Sequence, residues 1–145
     1  MRIITTLTLS ILLISCSNTT PITADEIVIE KTDKHPLLSD HGRILKTITT
    51  DGELIDEMEI YTDPGIGCKA YLFANGDDFT MIDCNGQWYA ITKANGSIEK
   101  GDWNWMKEPP GDCISVYTRT ASIQYKSTAC DTFSLEGIYK FKDPG

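Results

Sequence analysis

Residues 68–84 read Cys68-Lys69-Ala70-Tyr71-Leu72-Phe73-Ala74-Asn75-Gly76-Asp77-Asp78-Phe79-Thr80-Met81-Ile82-Asp83-Cys84. Two runs rich in apolar and β-branched residues flank Asn75-Gly76-Asp77, which is typical of the turn in a β-hairpin. A three-residue turn at this position would place Cys68 directly opposite Cys84. Because facing Cα atoms at a non-hydrogen-bonded antiparallel pair lie about 4.5 Å apart, the segment predicts a hairpin closed by a disulfide.

Similar runs, separated by turn residues, occupy the chain on both sides of this hairpin. Upstream, Asp51-Gly52 separates residues 43–49 from residues 54–61 and predicts a second hairpin. Downstream, Asn-Gly pairs and short apolar runs recur without a convincing helical period. Strands of about five to seven residues at this spacing predict an all-β fold, either a small antiparallel β-sandwich or a barrel-like meander. The downstream strands are predicted at 88–92, 97–99, 113–118, 121–125 and 133–141.

The amino terminus carries a second informative pattern. Arg2 precedes an apolar run that ends at Leu12, and Leu13-Ile14-Ser15-Cys16 follows. The run is shorter than the roughly 20 apolar residues of a membrane-spanning helix, so it predicts an export signal. Residues 1–17 resemble the signal peptide and lipobox of bacterial lipoproteins. The resemblance implies cleavage before Cys16, a diacylglycerol on its sulfur, an acyl chain such as palmitate on its freed amine, and a membrane anchor.

This resemblance also implies a location and a division of the chain. In Gram-negative lipoproteins an Asp after the lipidated cysteine signals inner-membrane retention, and this chain has Ser17 there. The protein is therefore expected in the cell envelope, and in the outer membrane if the host is Gram-negative. Small polar residues follow, typical of a flexible spacer. The predicted division is a signal peptide over residues 1–15, a flexible tether over 16–40 and a single β domain over 41–145.

The cysteine count agrees with an exported protein. Apart from Cys16, the chain has four cysteines, an even number, and two disulfides are predicted, Cys68–Cys84 and Cys113–Cys130. A zinc site is the alternative, but no pair has the C-x2–4-C spacing and no histidine lies near a cysteine in the sequence. No metal or cofactor is therefore predicted.

The chain is acidic. Its 145 residues have a formal net charge of −8, and cleavage after residue 15 removes Arg2, which leaves −9. An acidic surface repels nucleic acid, which excludes nucleic acid as an expected partner. A basic protein or a divalent cation would be attracted, although acidity also serves solubility alone.

Residues suited to catalysis are few. His35 and His41 lie in or beside the predicted tether, and the sequence has no nucleophile elbow, P-loop or dinucleotide-binding motif. Asp77, Asp78 and Asp83 share one hairpin, which leaves a carboxylate-based hydrolase as a remote alternative. The sequence thus predicts a binding protein without catalytic residues rather than an enzyme.

Trp103 and Trp105 are the predicted binding residues. A period of two places both indoles on one face of an extended segment, and Gly101 and Pro109-Pro110-Gly111 bracket it. Two indoles on one face could contact a glycan or form an interface hot spot. The alternative is that they cover the small core.

Two further segments have a partial counterpart in a known family. Residues 75–79 and 88–93 resemble motifs of the membrane-bound bacterial inhibitors of vertebrate-type lysozyme, which are small disulfide-bearing β-barrel lipoproteins. This chain departs from those motifs at three positions and in their spacing, so no functional residue is transferred. The expected function is a lipid-anchored envelope or surface protein of binding or inhibitor type, acting on a protein or glycan. A structural or surface-masking lipoprotein is the alternative.

Overall fold

The computed structural model describes residues 20–32, 40–103, 110–122 and 124–130. After a single 3-10 turn at Ala24–Glu26, the described chain consists of short strands joined by turns. The strands are β1 (Ile27–Thr32), β2 (His41–Ile48), β3 (Leu54–Asp63), β4 (Ala70–Asn75), β5 (Asp78–Asp83), β6 (Gln87–Thr92), β7 (Ile98–Trp103), β8 (Asp112–Arg119) and β9 (Tyr125–Ala129).

These strands form two antiparallel sheets, which confirms the all-β prediction. The small sheet has the order β1-β2-β3, and the large sheet has the order β7-β6-β5-β4-β8-β9. At the two edges of the small sheet, β1 approaches β9 and β3 approaches β7. The hydroxyl of Tyr117 in β8 donates a 2.8 Å hydrogen bond to the Ile27 carbonyl in β1, which joins the sheets through the interior.

The core between the sheets follows from the alternation of side chains along each strand. In β2 the inward positions are Arg43, Leu45 and Thr47, all fully buried. The apolar members of the core come from both sheets, and they are Ile22, Ile27, Ile29, Leu45, Ile60, Ala70, Leu72, Phe79, Met81, Tyr89, Ile91, Ile98 and Tyr117. The opposite face of the large sheet carries a second buried cluster, Tyr71, Phe73, Ile82 and Val116, with Trp88 packed against it.

Both predicted disulfides are present, but the predicted register of the first hairpin is wrong. Asn75 pairs with Asp78, so the turn has two residues, Gly76 and Asp77, instead of three. Asn75 continues the ladder because Gly76, with φ +59°, makes the tight reversal. Cys68 and Cys84 therefore lie just outside the paired strands, one position out of register, and their Cα atoms are 5.4 Å apart.

The second disulfide joins the end of β9 to the start of β8. Cys113 and Cys130 have Cα atoms 5.9 Å apart, and the predicted pairing is confirmed. The strand predicted at 121–125 is placed too early. The Thr120 N–H donates to the Gln124 carbonyl across a turn, and β9 begins only at Tyr125. The predicted strand at 133–141 lies outside the described residues.

The predicted tether is too long, because part of it belongs to the folded domain. β1 pairs with β2 along its whole length, and Ile27 and Ile29 are core residues. Ile22 is also buried, and its N–H donates a 2.7 Å hydrogen bond to the Lys93 carbonyl. Apolar burial thus fixes the chain from residue 22, about 20 residues before the predicted start of the domain. No helix in the described ranges is long and apolar enough to cross a membrane.

The sandwich has two distinct ends. The N-terminal end, as we call it, holds residues 20–26 and the turns at 49–53, 76–77 and 93–97. At this end the Lys93 ammonium donates a 2.9 Å hydrogen bond to the Gly76 carbonyl. We call the other end the loop end, since it holds the Cys68–Cys84 disulfide and the segment between β3 and β4. The eight residues of β2 separate the two ends by roughly 25 Å.

Candidate functional site

The segment Asp63–Cys68, which we call the braced loop, is held in place by one carboxylate. The buried Asp63 accepts hydrogen bonds from the N–H groups of Gly65 at 2.9 Å and Gly67 at 3.1 Å. This is the local hydrogen bonding that Asp provides in turns. Gly65 and Gly67 both have positive φ, +89° and +83°, which a glycine adopts without strain.

Two side chains from the large sheet attach this loop to the body of the domain. The Tyr125 hydroxyl donates a 2.7 Å hydrogen bond to the second oxygen of Asp63. The Arg119 guanidinium donates a 2.9 Å hydrogen bond to the Gly65 carbonyl and lies 3.7 Å from the same carboxylate. Cys68 closes the loop covalently to Cys84. The loop is therefore fixed at its beginning, its middle and its end.

Ile66 lies at the tip of this fixed loop and is 86% exposed. The other large hydrophobic residues that remain exposed in the described ranges are Leu54, Ile55 and Tyr61, between 38% and 54%. A single exposed aliphatic residue needs no explanation on a mobile turn. A residue on a braced loop has less backbone conformational entropy to lose on binding than one on a mobile turn.

A buried ion pair lies beneath the braced loop. Nη2 of Arg43 lies 2.7 Å and 2.8 Å from the two oxygens of Asp83, and both side chains are completely buried. Nε of Arg43 donates to the Tyr61 carbonyl at 2.8 Å, and Nη2 also lies 3.0 Å from Sγ of Cys68. The pair therefore connects β2, β3 and β5 to the disulfide that closes the loop.

One guanidinium nitrogen of Arg43 lacks a hydrogen-bond acceptor among the described residues. This nitrogen is Nη1, which is buried. The ring of Tyr125 lies against the same guanidinium, with 5.5 Å between Cζ and the ring centroid. A cation over an aromatic face in a desolvated site is attracted by roughly 2 kcal/mol, which offsets part of the missing hydrogen bond.

The two buried carboxyl groups differ in their pKa. Burial raises the pKa of Asp63, but the hydrogen bonds from Tyr125, Gly67, Cys68 and Gly65 together bring it below the usual value. Burial also raises the pKa of Asp83, and here the rise persists although the charge and hydrogen bonds of Arg43 oppose it. Asp63 is thus held as a carboxylate by its donors, while Asp83 has Arg43 as its charged partner and the N–H of Cys84 as a further donor at 2.9 Å.

A cleft of about 350 Å³ adjoins the braced loop, between β3 and the strands β6 and β7. Tyr61, Gln87, Tyr89 and Lys100 are among the residues that line it. Burial raises the pKa of Tyr89 to about 12, so its hydroxyl is neutral and able to donate a hydrogen bond. The cleft is open and lined mainly by polar groups, and Thr62, the residue before the braced loop, is part of its lining.

The structure places the predicted binding residues only in part. The backbone of Trp103 ends β7 and pairs with Gln87, which puts it at the loop end of the large sheet. The side chain of Trp103 and all of Trp105 lie outside the described residues. The prediction for these two indoles therefore stays a prediction; β7 ends at Trp103, at the same end of the large sheet as the braced loop.

Asp83 is not brought together with Asp78 or with Asp77, which lies in the turn beside Asp78. Asp78 begins β5 and Asp83 ends it, so their Cα atoms are roughly 17 Å apart. The two catalytic carboxyl groups of a glycosidase lie about 5 to 9.5 Å apart, much closer than these two residues. Asp83 is also paired with Arg43. Within the described ranges, Cys68, Asp83 and Cys84 lie close together and are residue types that can bind a metal ion. The sulfurs of Cys68 and Cys84 are, however, bonded to each other in a disulfide.

No protein-family model, no curated protein and no solved structure matches this chain.

Replacing Asp63 by Asn should lower the free energy of unfolding by roughly 2–3 kcal/mol at pH 7, because hydrogen bonds to a charged acceptor are lost. The pKa of Asp63 is lowered in the folded protein, so its stabilisation is complete above the unfolded value, about 3.9, and is lost as the pH falls through the folded value. Urea unfolding of both proteins between pH 7 and pH 2 should show the difference shrinking below pH 4. A difference that is independent of pH would contradict this assignment.

Proposed function

We propose that this protein is a lipid-anchored binding protein of the cell envelope and that the braced loop is its contact surface for a protein partner. The observation that carries the proposal is Ile66, 86% exposed at the tip of a loop that Asp63, Arg119 and a disulfide hold. Interface energy concentrates in a few such anchors, often 2 kcal/mol or more for each residue.

The chemistry of the loop favours a protein over a glycan. An isolated aliphatic side chain fits an apolar pocket of a protein, whereas sugars are usually met by aromatic faces and polar groups. The adjoining cleft with Tyr61 and Tyr89 offers hydrogen-bonding groups at the edge of the same surface. Trp103 and Trp105 are proposed as further contacts, since the backbone of Trp103 lies at this end. The net charge favours a basic partner, mainly through the rate of association.

The anchor is proposed at Cys16, on the lipobox resemblance of residues 1–17. Several acyl chains hold a protein on a membrane far longer than one chain does. The described chain begins at the N-terminal end of the sandwich, and the braced loop lies at the opposite end. An anchored protein would thus present the loop away from its attachment point. The outer membrane is the proposed location if the host is Gram-negative.

The test compares three lipidated proteins extracted from envelopes with detergent. Ile66→Asp should weaken the binding of a captured partner by tenfold or more, because a charge replaces the apolar anchor; about 1.4 kcal/mol corresponds to each factor of ten. Leu54→Asp, at the N-terminal end, is the matched control and should bind like the wild type. Both substitutions are at exposed positions, so the unfolding midpoint should change little. Binding is measured by titration of the purified partner.

Three results would count against the proposal. A partner that binds Ile66→Asp and the wild type equally would move the site elsewhere, with Trp103→Ala and Trp105→Ala as the next variants to measure. A Cys16→Ser protein that still fractionates with membranes would remove the lipid anchor. The absence of any captured protein would favour a structural or surface-masking role.

A further inference from the structure

The N-terminal end of the sandwich has features of a surface that rests on a bilayer. The first is the length of chain before the domain. Ile22 is already buried and hydrogen-bonded to Lys93, so five residues separate it from Cys16. Even a fully extended chain reaches only about 20 Å over that interval. A lipid anchor at Cys16 would therefore keep this end within about 20 Å of the membrane.

The second feature is exposed apolar surface at this same end. Leu54 and Ile55, at the start of β3, are 54% and 38% exposed, although both are large aliphatic residues. Ile55 also lines a groove of about 440 Å³ together with Pro21, Ile22 and Ala94. The groove therefore runs from Ile55 to the point where the chain enters the domain.

The third feature concerns charge and restricts the kind of lipid. The turns and the 3-10 turn at this end carry Asp25, Glu26, Asp51, Glu53 and Asp77, and Lys93 lies among them. Carboxylates near a surface are repelled by anionic head groups, and this repulsion is screened within about 8 Å at physiological ionic strength. Head groups without net charge avoid the repulsion.

We infer that the N-terminal end is a membrane-contact surface, on which Leu54 and Ile55 lie at the interface of a zwitterionic bilayer while the loop end points outward. The inference rests on the lipid anchor of the proposed function and deepens it by fixing the orientation of the domain. Apolar burial of two partly exposed side chains is too small to bind a bilayer alone. The same burial is sufficient to orient the domain once the anchor holds it at the surface, because the contact is then intramolecular.

The experiment uses the full lipidated protein in phosphatidylcholine vesicles whose acyl chains carry bromine, which quenches indole fluorescence at short range. Leu54→Trp places a reporter at the N-terminal end, and Ile66→Trp places the matched reporter at the loop end. Wild-type protein gives the contribution of the three native tryptophans, which is subtracted. We expect the added Leu54→Trp fluorescence to fall by at least half and the added Ile66→Trp fluorescence to stay unchanged. Ala94→Trp, in the groove, is a second reporter for the N-terminal end if Leu54→Trp folds poorly.

Flotation of the same samples with the vesicles tests the lipid anchor separately from the orientation of the domain. A protein that does not float with the vesicles overturns the lipid anchor, and the orientation with it. A protein that floats while neither N-terminal reporter is quenched keeps the anchor and overturns the orientation. Equal quenching of the Leu54→Trp and Ile66→Trp reporters also overturns it, because the domain would then have no preferred end at the membrane.

Discussion

Replacing Arg43 by Met should lower the free energy of unfolding by about 3–5 kcal/mol, the largest effect that we expect from a single substitution in this protein. The side chain of Asp83 is 0% exposed, and Arg43 is the cation that lies 2.7 Å from it. Without Arg43, Asp83 must either stay charged without a counterion or bind a proton at neutral pH. The Tyr61 carbonyl loses its donor as well. Urea unfolding at pH 7 measures the loss.

Two further variants give this prediction its controls. Lys46→Met removes a cation from the same strand, but its partner Glu30 is more than half exposed, so the loss should stay under about 1 kcal/mol. The double variant Arg43→Met with Asp83→Leu removes both buried charges and should recover most of the stability lost by Arg43→Met alone. A single variant that unfolds like the wild type, or a double variant less stable than the single, would show that the pair is not the decisive interaction.

Removing the Cys68–Cys84 disulfide should have the second largest effect. The two disulfides close loops of almost equal length, with sequence separations of 16 and 17, and the chain-entropy model gives about 3 kcal/mol for each. The Cys68→Ala, Cys84→Ala protein should lose more than the Cys113→Ala, Cys130→Ala protein. The reason is that Cys68 also ends the braced loop and contacts Arg43.

Hydrogen exchange adds a local measurement to this comparison. The amides of Gly65 and Gly67 bond to Asp63, and their exchange should accelerate when Cys68 and Cys84 are replaced. The Cys113→Ala, Cys130→Ala protein should leave these amides protected. Equal losses of stability with unchanged exchange at Gly65 and Gly67 would mean that the first disulfide acts through chain entropy alone.

Local sequence chemistry was sufficient to predict both disulfides and most of the strands, although β1 was assigned to the tether and β9 was placed too early. The structure has hairpins at Asp51-Gly52 and at Asn75-Gly76. Both were predictable because few residue types allow the chain to reverse direction within a short turn. The exact register was not predictable in the same way. Whether Asn75 belongs to the turn or to the strand depends on its pairing with Asp78, and the residue types on either side suit both arrangements.

The limits of the domain depend on tertiary burial, which a local pattern does not contain. Ile27-Val28-Ile29 could be recognised as a short strand, yet polar residues before and after it are typical of a tether. What fixes the segment is packing of Ile27 and Ile29 between the sheets and the hydrogen bond from Tyr117, 90 residues away. A contact over that sequence distance leaves no local signal.

The candidate site was missed for two different reasons. Alternation groups Arg43 with Leu45 and Thr47 on one face of β2, but the other face carries Ile44 and Ile48, so the sequence does not show which face is buried. Ile66 carries no comparable signal. Asp63-Pro64-Gly65 predicts a turn, but the exposure of the next side chain is decided by Arg119 and Tyr125, which come from strands far along the chain.

The pairing of β1 with β2 has a mechanical consequence. A pull between the amino terminus and the braced loop would run along the strands, since these two points lie at opposite ends of the sandwich. Hydrogen bonds of an antiparallel pair are perpendicular to the strands, so such a force shears the six pairs of β1 and β2 together instead of opening them one after another. If the amino terminus were held at the membrane and the braced loop were held by a partner, a force between them would have to break these hydrogen bonds together. The pairing of β1 with β2 resists a force in that direction most strongly.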